Sequence, residues 1–387
     1  MDRNNQALKQ VQAIEPVWDG LVKLKDILKQ PDMKLVLHAG PPFKSLDVIP
    51  AAVKNSILLG IQYEGWATDK ASAQQMLENG EITLAPAQDN DAVVPLAGVI
   101  TPSMYLLVIA DQHNKENKKY AVLNEGMTNC TRIGIYNEDV IEHLKWLNDD
   151  LGAWLANNFK QAVPLAPIIQ QSLLQNDDGH GRTMAGSRLL AEIIEPWGLT
   201  DQKFLGFLRA SLAWALNYWM GVSALVLGSF ANQSGQKLIT KVGSNGYEFG
   251  LQLSDNPGVW LTAKAPEVKG NKEQGLEDEE ALGAIGDSAL VDFLGLGGQV
   301  LDIAQISANN LKNFIPEDYI TRMHDFSMGA LPLLGGRPAI TDFEKVIQTN
   351  KGPLVVLGMI SKSGDKGRIG GGVAVVDAEL FNQLKSQ

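Results

Sequence analysis

ASLAWALNYWMGVSALVLGSF, residues 210–230, is free of formal charge from end to end. Its length would suit a membrane span. Its polar residues are spread through it (Ser211, Asn217, Ser223, Ser229), and its aromatic residues, Trp214, Tyr218 and Trp219, sit in mid-run rather than at the ends. Interfacial aromatic residues belong at the ends of a span, and the chain has no second run of this kind. The stretch therefore reads as a buried central helix, apolar on every face because protein surrounds it.

Outward from that helix, the upstream pattern is helical back to residue 139. Val140, Ile141, Leu144, Leu147, Leu151, Trp154 and Leu155 share one helical face. Further helices are expected near 165–175, 182–195 and 201–230, with Pro196 and Gly198 separating the last two. Before residue 139 the pattern mixes helices and strands. A helical start over 5–29 breaks at Pro16, and MKLVLHAG reads as a buried strand. A helix follows over 47–62, then another capped by Thr68 and ended by Gly80. TPSMYLLVIA and KKYAVLNEG flank DQHNKEN, a polar hairpin tip.

Downstream, strands return in KLITKV, YEFGLQLS and VWLTAKA. An acidic segment follows, EVKGNKEQGLEDEEALGAIGDS, which reads as a solvated loop. Helices are expected near 298–313, 316–328 and 341–349. The chain closes with strand, turn, strand and helix in LVVLGMIS, KSGDKGR, GGGVAVVD and AELFNQLKS. The expected fold is α+β, or mixed α/β: two α/β units (1–138 and 233–387) with a helical domain between them (139–232).

The chain has 387 residues, 45% of them apolar, enough to bury a large core. Its single cysteine, Cys130, excludes a disulfide framework and a cysteine zinc site. The polar N-terminus lacks an apolar signal core, so the expected compartment is the cytoplasm. A net charge of −11 repels nucleic acid, and no membrane partner is expected. An anionic substrate would need a local positive site made from arginines and backbone N–H groups. No P-loop, dinucleotide fingerprint, nucleophile elbow or HExxH helix is present. The sequence pattern alone assigns neither a metal nor a cofactor.

Ten short blocks occur in a telling order: LHAGPP (37–42), EGWA (64–67), PLAGVITPSM (95–104), LNEG (123–126), RIG (132–134), NDDGHGR (176–182), NGYEFG (245–250), IGDSA (285–289), LGLGG (294–298) and GRIGGG (367–372). In this the chain resembles the YahG/YlbE-like family, over nearly its whole length. That resemblance implies a multidomain α+β fold with an inserted helical domain. It also implies a subunit of an oxamate carbamoyltransferase, acting in anaerobic allantoin breakdown beside an acyl-CoA-synthetase-like subunit and a third family subunit. The implied reaction converts oxalurate and phosphate, the co-substrate, to oxamate and carbamoyl phosphate. The chain departs from the family in PAQDNDAVV, where relatives carry a Cys/His segment, at Ser361, where they carry histidine, and at Gly181, where they carry asparagine.

Such chemistry needs groups to hold a carboxylate and a phosphate, to stabilise charge on the transferred carbonyl, and to move a proton. The densest polar cluster is Asp177, Asp178, His180 and Arg182, just before a helix: His180 could shuttle a proton and Arg182 hold a carboxylate, or an aspartate could simply cap the helix. A metal held by these carboxylates lacks further ligands. Asn124 (substrate binding) and Glu125 (catalysis) end a strand at Gly126, where a plain turn is the alternative. Arg132 is an anion ligand or a surface cation. His38, after an apolar strand, could bond a substrate oxygen or serve structure. Asp287 and Ser288 could bind an anion at a helix start or cap it. Asn245 reads as a turn residue. SKSGDKGRIGGG joins Lys362, Lys366 and Arg368 to five glycines and could cradle phosphate, or be an exposed hairpin. Arg337 is a weaker candidate of the same kind.

Three readings follow. A catalytic subunit predicts that the clusters at 38, 124–125, 180–182, 287–288 and 362–368 converge on one pocket. A non-catalytic interaction subunit would instead carry an exposed apolar patch. A stand-alone amide or ureido hydrolase would turn over unaided. A homo-oligomer is compatible with all three.

Overall fold

The computed structural model describes residues 3–211, 213–231, 233 and 235–385. It is a mixed α and β structure, as expected. The central helix runs from Trp214 to Gly228, and every residue over 214–227 is buried. It lies on the strands Tyr105–Asp111 and Asn114–Val122 and against the helix Ala289–Leu294. Gly221 permits the close approach to the sheet, since a Cβ there would come within 2.5 Å of Ile109. Among the described residues no single helix is long and apolar enough to cross a membrane. The helix expected over 201–230 is two helices, Gln202–Ala210 and Trp214–Gly228, meeting at 64°. The first is half exposed and the second is buried over 214–227, so one straight rod could not serve both; Leu212 lies outside the described residues.

The N-terminal sheet has five strands in the order Ala92–Val93, Asn114–Val122, Tyr105–Asp111, Pro16–Lys23, Val163–Pro164. The helical reading of 5–29 is thereby corrected. A helix ends at Gln12, and Pro16 starts a strand, the position where its missing N–H costs least. Asp69, rather than Thr68, caps the following helix, in a reciprocal capping box with Ser72. A smaller sheet pairs Thr83–Pro86, Leu35–His38 and Val99–Ile100.

In the C-terminal part, a four-stranded sheet runs Leu261–Lys264, Glu248–Leu253, Ile239–Asn245, Ile285–Gly286. A three-stranded sheet runs Lys269–Lys272, Arg368–Val375, Leu354–Ile360. The acidic loop is thus not wholly a loop. Its residues 269–272 pair with residues 370–373, because Gly270 faces the glycines of that strand and backbones can close where side chains could not. A hairpin, Ser327–Leu331 with Arg337–Thr341, occupies the end of an expected helix.

The three sequence spans interlock. Val163–Pro164, from the middle span, pairs with Pro16–Lys23. One continuous apolar core includes residues from all three, among them Trp18, Trp219 and Phe293.

Candidate active site

A cavity of about 470 Å³ opens where the spans meet. Part of its floor is sheet with glycines in place of side chains. Gly358 and Gly371 are cross-strand partners, and both line the cavity. A Cβ on Gly371 would meet nothing nearer than Arg368 Nη2, at 3.5 Å.

His180 stands at one wall, in the tight loop that precedes the helix Met184–Ile194. Asp178 sets the shape of that loop. Its Oδ1 accepts from the His180 and Arg182 N–H groups at 2.7 and 3.2 Å, and its Oδ2 accepts from the Ser307 hydroxyl. Gly179 takes the left-handed conformation the turn requires, at φ +85°. The His180 ring is fixed by Asp292, whose Oδ2 lies 2.5 Å from Nδ1. Asp292 is fully buried, and its Oδ1 accepts from Gly298 N and Val356 N at 2.9 and 3.1 Å. Burial pushes its carboxyl above the ordinary carboxylate range, against the pull of His180 and the two N–H groups. With Nδ1 committed, Nε2 is the ring nitrogen left to a ligand.

Three arginines line the same cavity: Arg132, Arg182 and Arg368. Arg182 Nε is 3.8 Å from Asp177 Oδ1, and Arg368 Nη1 pairs with Glu273. Asp177 does not leave the helix start open to an anion, since its own Oδ2 accepts from Gly186 N at 2.9 Å. Burial lifts its carboxyl to about 6.

Of the residues singled out in the sequence, Arg132, Asp178, His180, Arg182, Ser288 and Arg368 line the cavity together. Asn124 and Glu125 stand one layer behind it. Asn124 Oδ1 accepts from Arg132 Nη1 at 3.3 Å, and Glu125 is buried, its two oxygens bonded to the N–H and hydroxyl of Thr131 at 2.5 and 2.6 Å. Burial raises the Glu125 carboxyl above its ordinary range.

Three expectations of convergence are corrected. His38 is buried elsewhere, its Nδ1 2.9 Å from Ala39 O and its ring 4.5 Å from that of Phe43; burial pulls its pKa to about 4. The Asp287 carboxylate points away from the cavity and ties distant segments together, accepting from Gly40 N, Gln88 Nε2 and Val94 N at 3.0, 2.6 and 3.0 Å. Burial raises it to about 7. Lys362 lies at the surface in an ion pair with Glu280 at 2.7 Å, so the glycine-rich turn splits its cations instead of gathering them. Asn245 holds its turn, as expected, accepting from Tyr247 N and Glu248 N. Arg337 pairs with Asp302 at 2.5 Å.

Sequence reasoning missed Asp292, Ser307 and the pairing of Gly358 with Gly371. Asp292 had a signal: it is the one charge in ALVDFLGLGG, and a carboxylate on an apolar helix needs a buried partner. Among the described residues no cluster of three or more His, Cys, Asp or Glu could hold a metal ion.

The profile of the family described as oxamate carbamoyltransferase subunit AllG matches residues 82–288. The chain belongs to the AllG family. The match takes in Arg132, His180, Arg182 and Ser288, whereas Asp292 and Arg368 lie beyond it. Two Escherichia coli (strain K12) relatives align over nearly the whole chain. Uncharacterized protein YahG is 28% identical, over 96% of this chain and 82% of its own length. Oxamate carbamoyltransferase subunit AllG is 26% identical, over 98% of this chain and 95% of its own length. The AllG family fold is also similar to the crystal structure of a conserved protein of unknown function from Enterococcus faecalis V583. There the TM-score is 0.90 and identity 28%, over 99% of this chain and 96% of that one.

Proposed function

We propose that this AllG family member is the subunit of a cytoplasmic carbamoyltransferase complex that carries the carbamoyl-transfer site, converting oxalurate and phosphate to oxamate and carbamoyl phosphate. The observation that carries the reading is the His180–Asp292 pair beside a cavity lined by three arginines. Two anions must meet in a protein of net charge −11, so the arginines supply the local positive field that the molecule as a whole lacks. A phosphate oxygen attacks the carbamoyl carbon of oxalurate, and the bond from that carbon to the oxamate nitrogen breaks. His180 takes the proton of hydrogen phosphate through Nε2 and passes it to the departing nitrogen. Asp292 keeps the imidazole in the required tautomer and balances the imidazolium. Arg182 and Arg368 stabilise charge on the phosphate and on the carbonyl oxygen. Ser288 lies within the same enclosure as a hydroxyl for the carbamoyl group.

The partners in this reading are an acyl-CoA-synthetase-like subunit and a third family subunit. The test is to co-express the chain with both and assay carbamoyl phosphate from oxalurate and phosphate. The expected result is formation that stops when this chain is omitted or carries His180→Gln. Formation that continues unchanged with H180Q would overturn the reading and leave the chain an interaction subunit.

A further inference from the structure

Arg132 is 5% exposed, and its guanidinium has no hydrogen-bonded carboxylate among the described residues, although the Glu125 carboxylate lies near it and accepts from the Arg132 backbone N–H. Its Nη1 donates to Asn124 Oδ1 and to Gly126 O, at 3.3 and 3.4 Å. Its Nε has no hydrogen-bond partner. The nearby Glu125 has both oxygens engaged by Thr131. Behind Arg132 the support is continuous: Asn124 Nδ2 donates to Asn217 Oδ1 at 2.8 Å, and Asn217 Nδ2 donates to Val122 O at 2.6 Å. The guanidinium is thus held rigidly from one side, at the wall of the cavity. A buried cation without a direct counterion is costly unless a ligand supplies one.

A second strain lies beside it. Leu96, which also lines the cavity, is a non-glycine residue in the left-handed region, at φ +49°. The next residue, Ala97, donates its N–H to Arg132 O at 3.0 Å. Backbone strain of this kind persists where the surroundings hold a site in shape.

We propose that Arg132 is the carboxylate-recognition group of this cavity, positioned by Asn124 and Asn217, and that it selects a small organic acid by its carboxylate end. This rests on the cavity being the transfer site and adds which substrate end is read, and where. With Nη1 anchored and Nε sealed inside the protein, Nη2 is the nitrogen that remains for a carboxylate oxygen. The residues next to Arg132 and its anchors, Leu96 and Met127, make this end of the cavity apolar. A singly charged acid with an organic body suits that end better than strongly hydrated phosphate. Arg182 and Arg368 are about a third exposed, with side-chain accessibilities of 29% and 33%, and serve the more hydrated anion. Asn124, read in the sequence as a substrate ligand, becomes a positioning residue.

The test is calorimetric titration of the full chain with oxamate, oxamide and inorganic phosphate, in wild type and Arg132→Lys. Losing the anchored charged contact should weaken oxamate binding about tenfold or more, with phosphate affinity changed less than about twofold. Wild type should bind oxamate well ahead of oxamide, which has the same shape without the carboxylate. Equal oxamate affinity in R132K, equal loss of oxamate and phosphate, or no oxamate binding by wild type overturns the assignment. Should R132K fail to fold, the comparison of oxamate with oxamide on wild type decides: no preference overturns the proposal. Carbamoyl phosphate formation by the co-expressed complex reports separately on the transfer reading, so either claim can fail without the other.

Discussion

His180 Nδ1 lies 2.5 Å from Asp292 Oδ2, although the two residues are 112 positions apart in the chain. One sits in a tight loop and the other on a short apolar helix. Neither position is explained by local structure, since an aspartate facing a protein interior is destabilising unless something compensates it. The compensation is threefold: the imidazole, Gly298 N and Val356 N.

Asp292→Asn should therefore leave the chain folded but misdirect the imidazole, because an amide can present its N–H to Nδ1. Turnover by the assembled complex should fall by about 10²- to 10⁴-fold, with KM for oxalurate little changed. Steady-state kinetics on the co-expressed complex checks this. A variant with wild-type kcat would show that His180 needs no orienting partner.

The glycine floor gives a paired test. Gly371→Val places its side chain in the open cavity, so the melting temperature should hold while activity drops at least about a hundredfold through lost volume. Gly270→Ala should behave in the opposite way. Its Cβ would lie 2.1 Å from Gly371 O, so overpacking should cost about 1–3 kcal/mol or more and show first as a lowered denaturation midpoint.

Buried His38 makes stability depend on pH. Its pKa falls from an ordinary 6.5 to about 4 on folding, because burial disfavours the charged ring. Between those values the unfolded chain binds a proton that the folded chain does not. Stability from this group is complete above about pH 6.5 and declines as pH falls towards 4. The loss is on the order of 3 kcal/mol. His38→Gln removes it, so urea denaturation at pH 7 and pH 4.5 should show the wild type losing more than the variant. Parallel losses would place the pH sensitivity elsewhere.

Lys362→Ala should be silent in both stability and turnover, since the pair with Glu280 stands in solvent. Arg368→Ala, six residues on, should reduce turnover sharply and raise KM for phosphate. Equal effects of the two substitutions, measured in one kinetic series, would contradict the separation of these cations.

Much of the fold was legible because it follows from local patterns. The charge-free run could only be a span or a buried helix, and its scattered polar residues decided for the helix. The terminal strand, turn, strand and helix were equally readable, since both strands are apolar runs bounded by glycine. Errors arose where partners are remote. Pro16–Lys23 became a strand because sheet neighbours were waiting on both sides, Tyr105–Asp111 and Val163–Pro164. Lys269–Lys272, polar and glycine-bearing, looked like a loop and pairs only because a glycine strand lies opposite.

By itself, the sequence determined the mixed α and β character, the central helix, and the residue types that could handle an anion. It could name Arg132, His180, Arg182, Ser288 and Arg368, because unusual polar groups stand out beside glycines and apolar runs. Tertiary structure alone decided which of them share a cavity. It sent Lys362 to solvent and His38 and Asp287 into separate buried contacts, it buried Arg132 instead of leaving it a surface cation, and it brought in Asp292. The reason is that a buried charge is tolerable only where the fold supplies hydrogen-bond partners, and those partners come from segments far away along the chain.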